Sequence, residues 1–167
     1  LQKTALVKLT ESEEKFRTLY ETMTQGVMYF NDKFEIVSAN RSAESIFEVE
    51  SIDLKPIAID MAMYRYFSIQ GKEFEFSELP LFRALQFGEK LRNFTMGISS
   101  PRMSKQKWLN VNAVPIFEPG NPKPVKAYLT VEDITELIET EKELQFEKER
   151  AEQSDKLKTA FLANMSH

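Results

Sequence analysis

The chain has no cysteine and only one histidine, His167. The first absence excludes disulfides and thiol chemistry. Together the two absences exclude a tight zinc or iron site, because one imidazole cannot close a coordination shell. Glycine is scarce, with five in 167 residues. No stretch has the Gly-rich spacing of a phosphate-binding loop, so this chain is not expected to bind ATP. No stretch has the spacing of a calcium loop either. No apolar run approaches the ~20 residues of a membrane-spanning helix, and no signal peptide is visible. The net charge of -4 gives no reason to expect a nucleic-acid partner or an anionic membrane.

Hydrophobic residues make up 42% of the chain, including 13 Phe, enough for a sizeable core. The length predicts one domain with flanking helices. Residues 1–22 read as helix, because Leu6, Leu9, Phe16, Leu19, Tyr20 and Met23 recur at helical spacing. Thr10 and Glu13 stand at capping-box spacing, which predicts a break near residues 10–12. Gly26 ends the helical pattern. Val27–Phe30 and Phe34–Val37 flank Asn31-Asp32-Lys33 as a hairpin. Asn40 is the expected N-cap of a short helix, Ser42 to Phe47. Residues 48–77 show no regular period but are too apolar for a solvated linker. Ser77 is read as the cap of a helix with Pro80 in its first turn; Leu81, Phe82, Leu85 and Phe87 form its apolar face and Gly88 stops it. Phe94, Met96 and Ile98 alternate with polar neighbours. Trp108–Val114 alternates too, with Leu109, Val111 and Ala113 on one face. The turn-rich Glu118–Pro124 precedes a last strand, Val125–Glu132. Two strands, then helices, then three antiparallel strands is an α+β order.

The ordered pieces Glu14-Lys15-Phe16-Arg17 before Gly26-Val27, Ile36-Val37-Ser38-Ala39-Asn40, Trp108 to Ile116 and Asp133-Ile134-Thr135 resemble a PAS domain. The resemblance implies an antiparallel five-stranded sheet over residues 12–135, with short helices on one face. An N-terminal helix and a long C-terminal coiled-coil helix would flank it, with residues 1–11 an upstream linker or helix.

From Glu136 to Lys158 there is no Gly or Pro. Asp133, Ile134, Thr135 and Glu136 have the spacing of a helix N-terminus. Asp133 is placed to accept from the first-turn amides and Glu136 to reach back. These four form the expected signal exit, where a strand shift would move the helix. Ile134, Leu137, Leu144 and Ala151 trace a heptad seam, and Leu157 and Phe161 fall out of its phase. A parallel two-stranded coiled coil over 136–158 is expected, with a phase change near 151–157 and hence a homodimer.

The chain ends Phe161-Leu162-Ala163-Asn164-Met165-Ser166-His167. This run resembles the phospho-acceptor box of sensor histidine kinases, and residues 159–167 would begin that phosphotransfer domain. The resemblance implies a two-component system in which His167 is the autophosphorylated nucleophile and a response regulator is the partner. ATP and Mg would bind a domain of the parent that is absent here. A start on Leu1 and an end on His167 read as a piece of a longer protein. It is expected in the cytoplasm, from a parent either soluble or membrane-anchored.

A pocket inside the domain can be tested by residue chemistry. A flavin adduct needs a cysteine, and histidine-ligated haem needs a core histidine; neither is present. Met28, Met61, Met63 and Met96 could ligate haem, but methionine is far more often core. What remains is an apolar cavity or a filled core, lined by Met28, Phe30, Ile36, Phe47, Met63, Phe67, Phe82, Leu85, Phe94, Met96, Val111 and Leu129, with a small apolar ligand as its occupant. Tyr64, Arg65, Tyr66, Arg92, Asn110 and Asn112 are candidate polar anchors. No cofactor and no metal is expected in this chain. The leading function is the sensory region of a histidine kinase. The alternative is a ligand- or partner-binding dimerisation module without catalysis. An enzyme in its own right finds no constellation beyond His167.

Overall fold

A computed structural model describes residues 2–49 and 62–166. The chain divides into two compact units, Leu1–Asp133 and Ile134–His167. The first unit runs α1 (Gln2–Thr22), β1 (Gly26–Asn31), β2 (Ile36–Ala39), α2 (Arg41–Phe47), β3 (Arg65–Phe67), a 3-10 turn (Phe76–Glu78), α3 (Pro80–Phe87), β4 (Leu91–Ser99), β5 (Lys107–Ile116) and β6 (Lys126–Asp133). The second is one helix, α4 (Thr135–Met165).

The sheet is antiparallel in the order β2-β1-β6-β5-β4-β3. Met28 lies opposite Leu129, and Val111 opposite Val131. Alternation therefore sends Met28, Phe30, Met96, Ile98, Leu109, Val111, Leu129 and Val131 to one face, where all are buried. Ala43 and Ile46 of α2 and Leu81, Ala84 and Leu85 of α3 join the same cluster. The predicted alternation of Leu109, Val111 and Ala113 is observed, and the helices lie on the face it defines.

The sheet has six strands, not five. The additional one, β3, is three residues long and pairs with β4 through Arg65↔Ser99, Tyr66↔Ile98 and Phe67↔Gly97. Three residues are too few to show a period, which is why it is not legible beforehand. Nor does α1 break near residue 10. Thr10 Oγ1 donates to the Leu6 carbonyl at 2.9 Å, a helical back-bond instead of a cap. Ser77 lies inside the 3-10 turn and does not cap α3. The Glu75 N–H donates to Glu78 Oε2 at 2.9 Å, while Pro80 starts α3 behind Leu79. Asp133 still belongs to β6, opposite Leu109, and the cap position falls on Ile134, which has no side-chain acceptor. Helix α4 continues for 31 residues without interruption, about 46 Å at 1.5 Å per residue.

Asn40 caps α2 as predicted and does more. Its Oδ1 accepts from the Ala43 amide at 3.0 Å and from the Val27 amide at 2.9 Å. Its Nδ2 donates to the carbonyls of Tyr20 at 2.8 Å and Gln25 at 3.0 Å. Its backbone N–H donates to the Val27 carbonyl at 3.0 Å. One fully buried side chain thus joins the end of α1, the start of β1 and the start of α2. Asn40→Ala removes the cap and strands buried groups on three elements. It should lower unfolding free energy by about 3 kcal/mol. Urea denaturation checks this, and a loss below ~1 kcal/mol would contradict the role, since that is no more than one ordinary hydrogen bond.

Candidate functional site

The apolar interior between the sheet and helices α2 and α3 is the site the sequence points to. Of the candidate pocket residues, Met28, Phe30, Ile36, Leu85, Met96, Val111 and Leu129 are buried in the central cluster, and Phe47 and Phe94 pack against it. Three candidates are not brought in. Met63 is 38% exposed. Phe67 faces the other side of the sheet because Tyr66 takes the inward position of β3. Its ring meets Trp108 edge-on at 5.4 Å and lies over Gly97. Phe82 stacks on Phe34 at 5.9 Å in a surface cluster with Phe76 and Phe87. That cluster follows from the β1–β2 turn. Asn31 Oδ1 accepts from the Lys33 and Glu35 amides, each at 3.0 Å, and the turn holds Phe34 at φ 63°. A bulky residue in the left-handed region is strained, so strand β2 starts at Ile36 and not at Phe34.

The polar anchors separate by face. Tyr66 is buried in the core, and burial raises its phenol above the usual range, so it is a neutral donor at physiological pH. The Tyr64 hydroxyl donates to the Phe47 carbonyl at 3.2 Å. Arg65 forks onto Glu73, with Nε–Oε1 at 3.1 Å and Nη2–Oε2 at 2.9 Å. This pairing raises the guanidinium pKa and lowers that of the carboxylate. The pair belongs to an open groove of about 280 Å³ lined also by Phe67, Gly71, Ser99 and Gln106. Asn112 accepts from the Asn93 amide at 2.9 Å and donates to Thr130 Oγ1 at 2.9 Å. Asn110 Nδ2 reaches Asn93 Oδ1 at 3.3 Å, and Asn110 Oδ1 is buried without a partner. These two asparagines alternate with Leu109 and Val111, so they face away from the core; Arg92 is exposed.

A second constellation escaped the sequence reading. Glu48 follows α2 as its left-handed C-cap, at φ 55°. Its carboxylate accepts from Ser104 Oγ at 2.8 Å and from the Ser104 amide at 3.1 Å. The Lys107 ammonium lies 3.7 Å from it and donates to the Ile46 carbonyl at 2.7 Å. A cation on the last carbonyls of a helix is electrostatically favourable. The partners are 56 residues apart, so no local pattern announces them.

His167 and Met61 lie outside the described residues. Asp133 ends β6, Ile134 follows as the cap, and Thr135 and Glu136 begin α4. Along α4, Leu137, Leu144, Leu157, Phe161, Leu162 and Met165 are exposed. Among the described residues no cluster of acidic, histidine or cysteine side chains could hold a metal, and no helix is long and apolar enough to cross a membrane.

Two tests follow from this geometry. A Cβ added at Gly97 would overlap the ring of Phe67. Gly97→Ala should therefore displace Phe67 from Trp108, shift the emission of the only tryptophan to the red and destabilise the fold by about 1–3 kcal/mol. Unchanged emission would contradict the packing. Hydrogen bonding from Ser104, helped by Lys107, holds the Glu48 carboxyl below its ordinary value. A lowered folded pKa adds stability above the unfolded pKa of about 4.3 and loses it as pH falls through the folded value. The protection factor of the Ser104 amide, corrected for the intrinsic pH dependence of exchange, should thus fall selectively as pH drops through that folded value; an unchanged factor would contradict the bond.

Residues 14–85 match the family model described as PAS domain. No curated protein matches the chain. Among solved structures, the PAS domain of a Colwellia psychrerythraea protein aligns with a TM-score of 0.53 at 14% identity, covering 74% of this chain and 97% of that one. A sensory box histidine kinase/response regulator structure from Burkholderia thailandensis aligns at 0.50 and 11% identity, covering 83% and 98%. The E. coli DhaR(N)–DhaL complex aligns at 0.52 and 12% identity; 78% of this chain is covered but only 39% of that chain. At these identities the likeness is one of fold. It agrees with the family match over residues 14–85 and with the sheet-and-helix order already described: the first unit has a PAS-like fold.

Proposed function

We propose that this PAS domain is the sensory region of a two-component sensor histidine kinase, and that α4 relays its state to His167. The carrying observation is continuity. The helix that begins two residues after the last strand runs unbroken into the box Phe161–His167. In this reading ATP and Mg are bound by another domain of the parent protein. An unprotonated imidazole nitrogen of His167 forms the N–P bond as the bond between the γ-phosphorus and ADP breaks. A response-regulator aspartate then takes the phosphoryl group. That chemistry belongs to the cytoplasm.

The relay is a parallel coiled coil with a second copy. Leu137 and Leu144 are seven apart and exposed, as a heptad seam requires, whereas Leu157 and Phe161 follow a different phase. A phase change is where two packings of similar energy can alternate. The apolar interior around Met28, Phe30, Met96 and Leu129 takes a small apolar ligand or, if filled, responds to a partner. Neither case needs a flavin or haem.

Two measurements test this. Joined to the phosphotransfer and ATP-binding domains of a histidine kinase and given γ-labelled ATP, the chain should carry phosphate on His167, and His167→Ala should abolish it. Label that persists in the variant would sink the assignment and leave a non-catalytic binding module. Single cysteines placed along 137–161 should crosslink in patterns that differ between signalling states; one invariant pattern would rule out the phase switch.

A further inference from the structure

The loop joining β4 to β5, residues 100–106, is polar except for Pro101 and Met103. Pro101, Arg102, Ser104, Lys105 and Gln106 are exposed, whereas Met103 is 8% exposed and belongs to the central apolar cluster. The loop's own bonds are few: the Met103 amide donates to the Ser100 carbonyl at 3.0 Å and the Arg102 amide to Ser100 Oγ at 3.2 Å. Among the described residues, the polar fastening to the rest of the domain is the Glu48 carboxylate, through the Ser104 amide and hydroxyl, with Lys107 clamped beside it at the end of α2.

The backbone at Glu48 adds an independent observation. The Val49 amide donates to the Glu44 carbonyl at 3.0 Å and the Glu48 amide to the Ser45 carbonyl at 3.2 Å. That is a Schellman helix end, in which the left-handed position favours glycine. Here a glutamate occupies it at φ 55°. The helix end would be better served by glycine; the carboxylate is what glycine could not supply. Strain of this kind, held by the surrounding structure, points to a role for the side chain.

We propose that the β4–β5 loop is a gate to the interior of the PAS domain, with Met103 as its plug and Glu48 as its latch, and that an uncharged apolar molecule enters by displacing Met103. An unbranched thioether leaves and re-enters a core with less repacking than a branched side chain. A loop held, among the described residues, by two internal bonds and one latch opens locally without unfolding the sheet. The inference deepens the ligand-sensing part of the proposed function and rests on it for what the ligand is used for.

Glu48→Gly separates latch from fold. It relieves the left-handed strain and removes the carboxylate, so thermal stability should be unchanged or higher. Amide exchange at Met103 and Ser104 should accelerate about tenfold or more while β1 and β6 keep their protection. The association rate of Nile red, an uncharged apolar dye, should rise with it. Unchanged exchange in the loop would overturn the latch. Faster exchange everywhere would overturn it too, because Glu48 would then be a general stabiliser. A loosened loop with unchanged dye entry would overturn the gate. Faster dye entry in a chain whose His167 takes no phosphate would uphold the gate and remove the kinase reading.

Discussion

The carboxamide of Asn40 is the interaction on which the rest of the domain depends. It is fully buried, and both of its polar atoms are used twice. Three chain segments that are not neighbours in a sheet meet there: the end of α1, the entry of β1 and the first turn of α2. Neighbouring contacts reinforce it. Ser42 Oγ donates to the Met23 carbonyl, the Arg41 amide to Glu21 Oε2, and the Tyr20 hydroxyl pairs with Ser38 Oγ. A buried network of this kind is stable only when every member is satisfied, which fixes one arrangement of helix, strand and helix. Because β1 pairs with β6 along its whole length, that arrangement also sets the register of the strand that leads to α4.

How much of this was legible depended on range. Asn40 could be identified as a cap because capping is local and its partner Ala43 is three residues away. Its bonds to Tyr20 and Gln25 could not be read, since they span a helix end and a strand. The alternation from Trp108 to Val114 was long enough to assign faces correctly. Strand β3 was not, and the same short segment misplaced Phe67: an aromatic beside Tyr66 reads as core until pairing with β4 shows that the two point opposite ways. Phe82 was misplaced for another reason. Its partner Phe34 reaches it only because the Asn31 turn forces a left-handed residue, which no hydrophobic pattern encodes. The resemblance of residues 161–167 to a phospho-acceptor box rests on spelling alone; periodicity shows only an apolar face.

Phe34 and Glu48 both stand in the left-handed region. Each departs from the glycine its backbone favours, and each supports an arrangement that reaches far along the chain. Phe34 anchors an aromatic cluster built with the 3-10 turn and α3. Glu48 holds the β4–β5 loop from the end of α2. Local propensity is overridden in both places by side-chain contacts made across the fold, which is where sequence reasoning is expected to fail.

Helix α4 differs in kind from everything before it. Beyond its first turn its apolar side chains are exposed, and a helix of this length in isolation has no core of its own. Pairing with a second copy would cover Leu137 and Leu144 along one seam. Native mass spectrometry of the purified chain, set against its denatured mass, tests that most directly. A species of twice the chain mass that dissociates when Leu144 is replaced by Asp is the predicted result. A monomer as the sole species would contradict the paired output helix and with it the relay to His167.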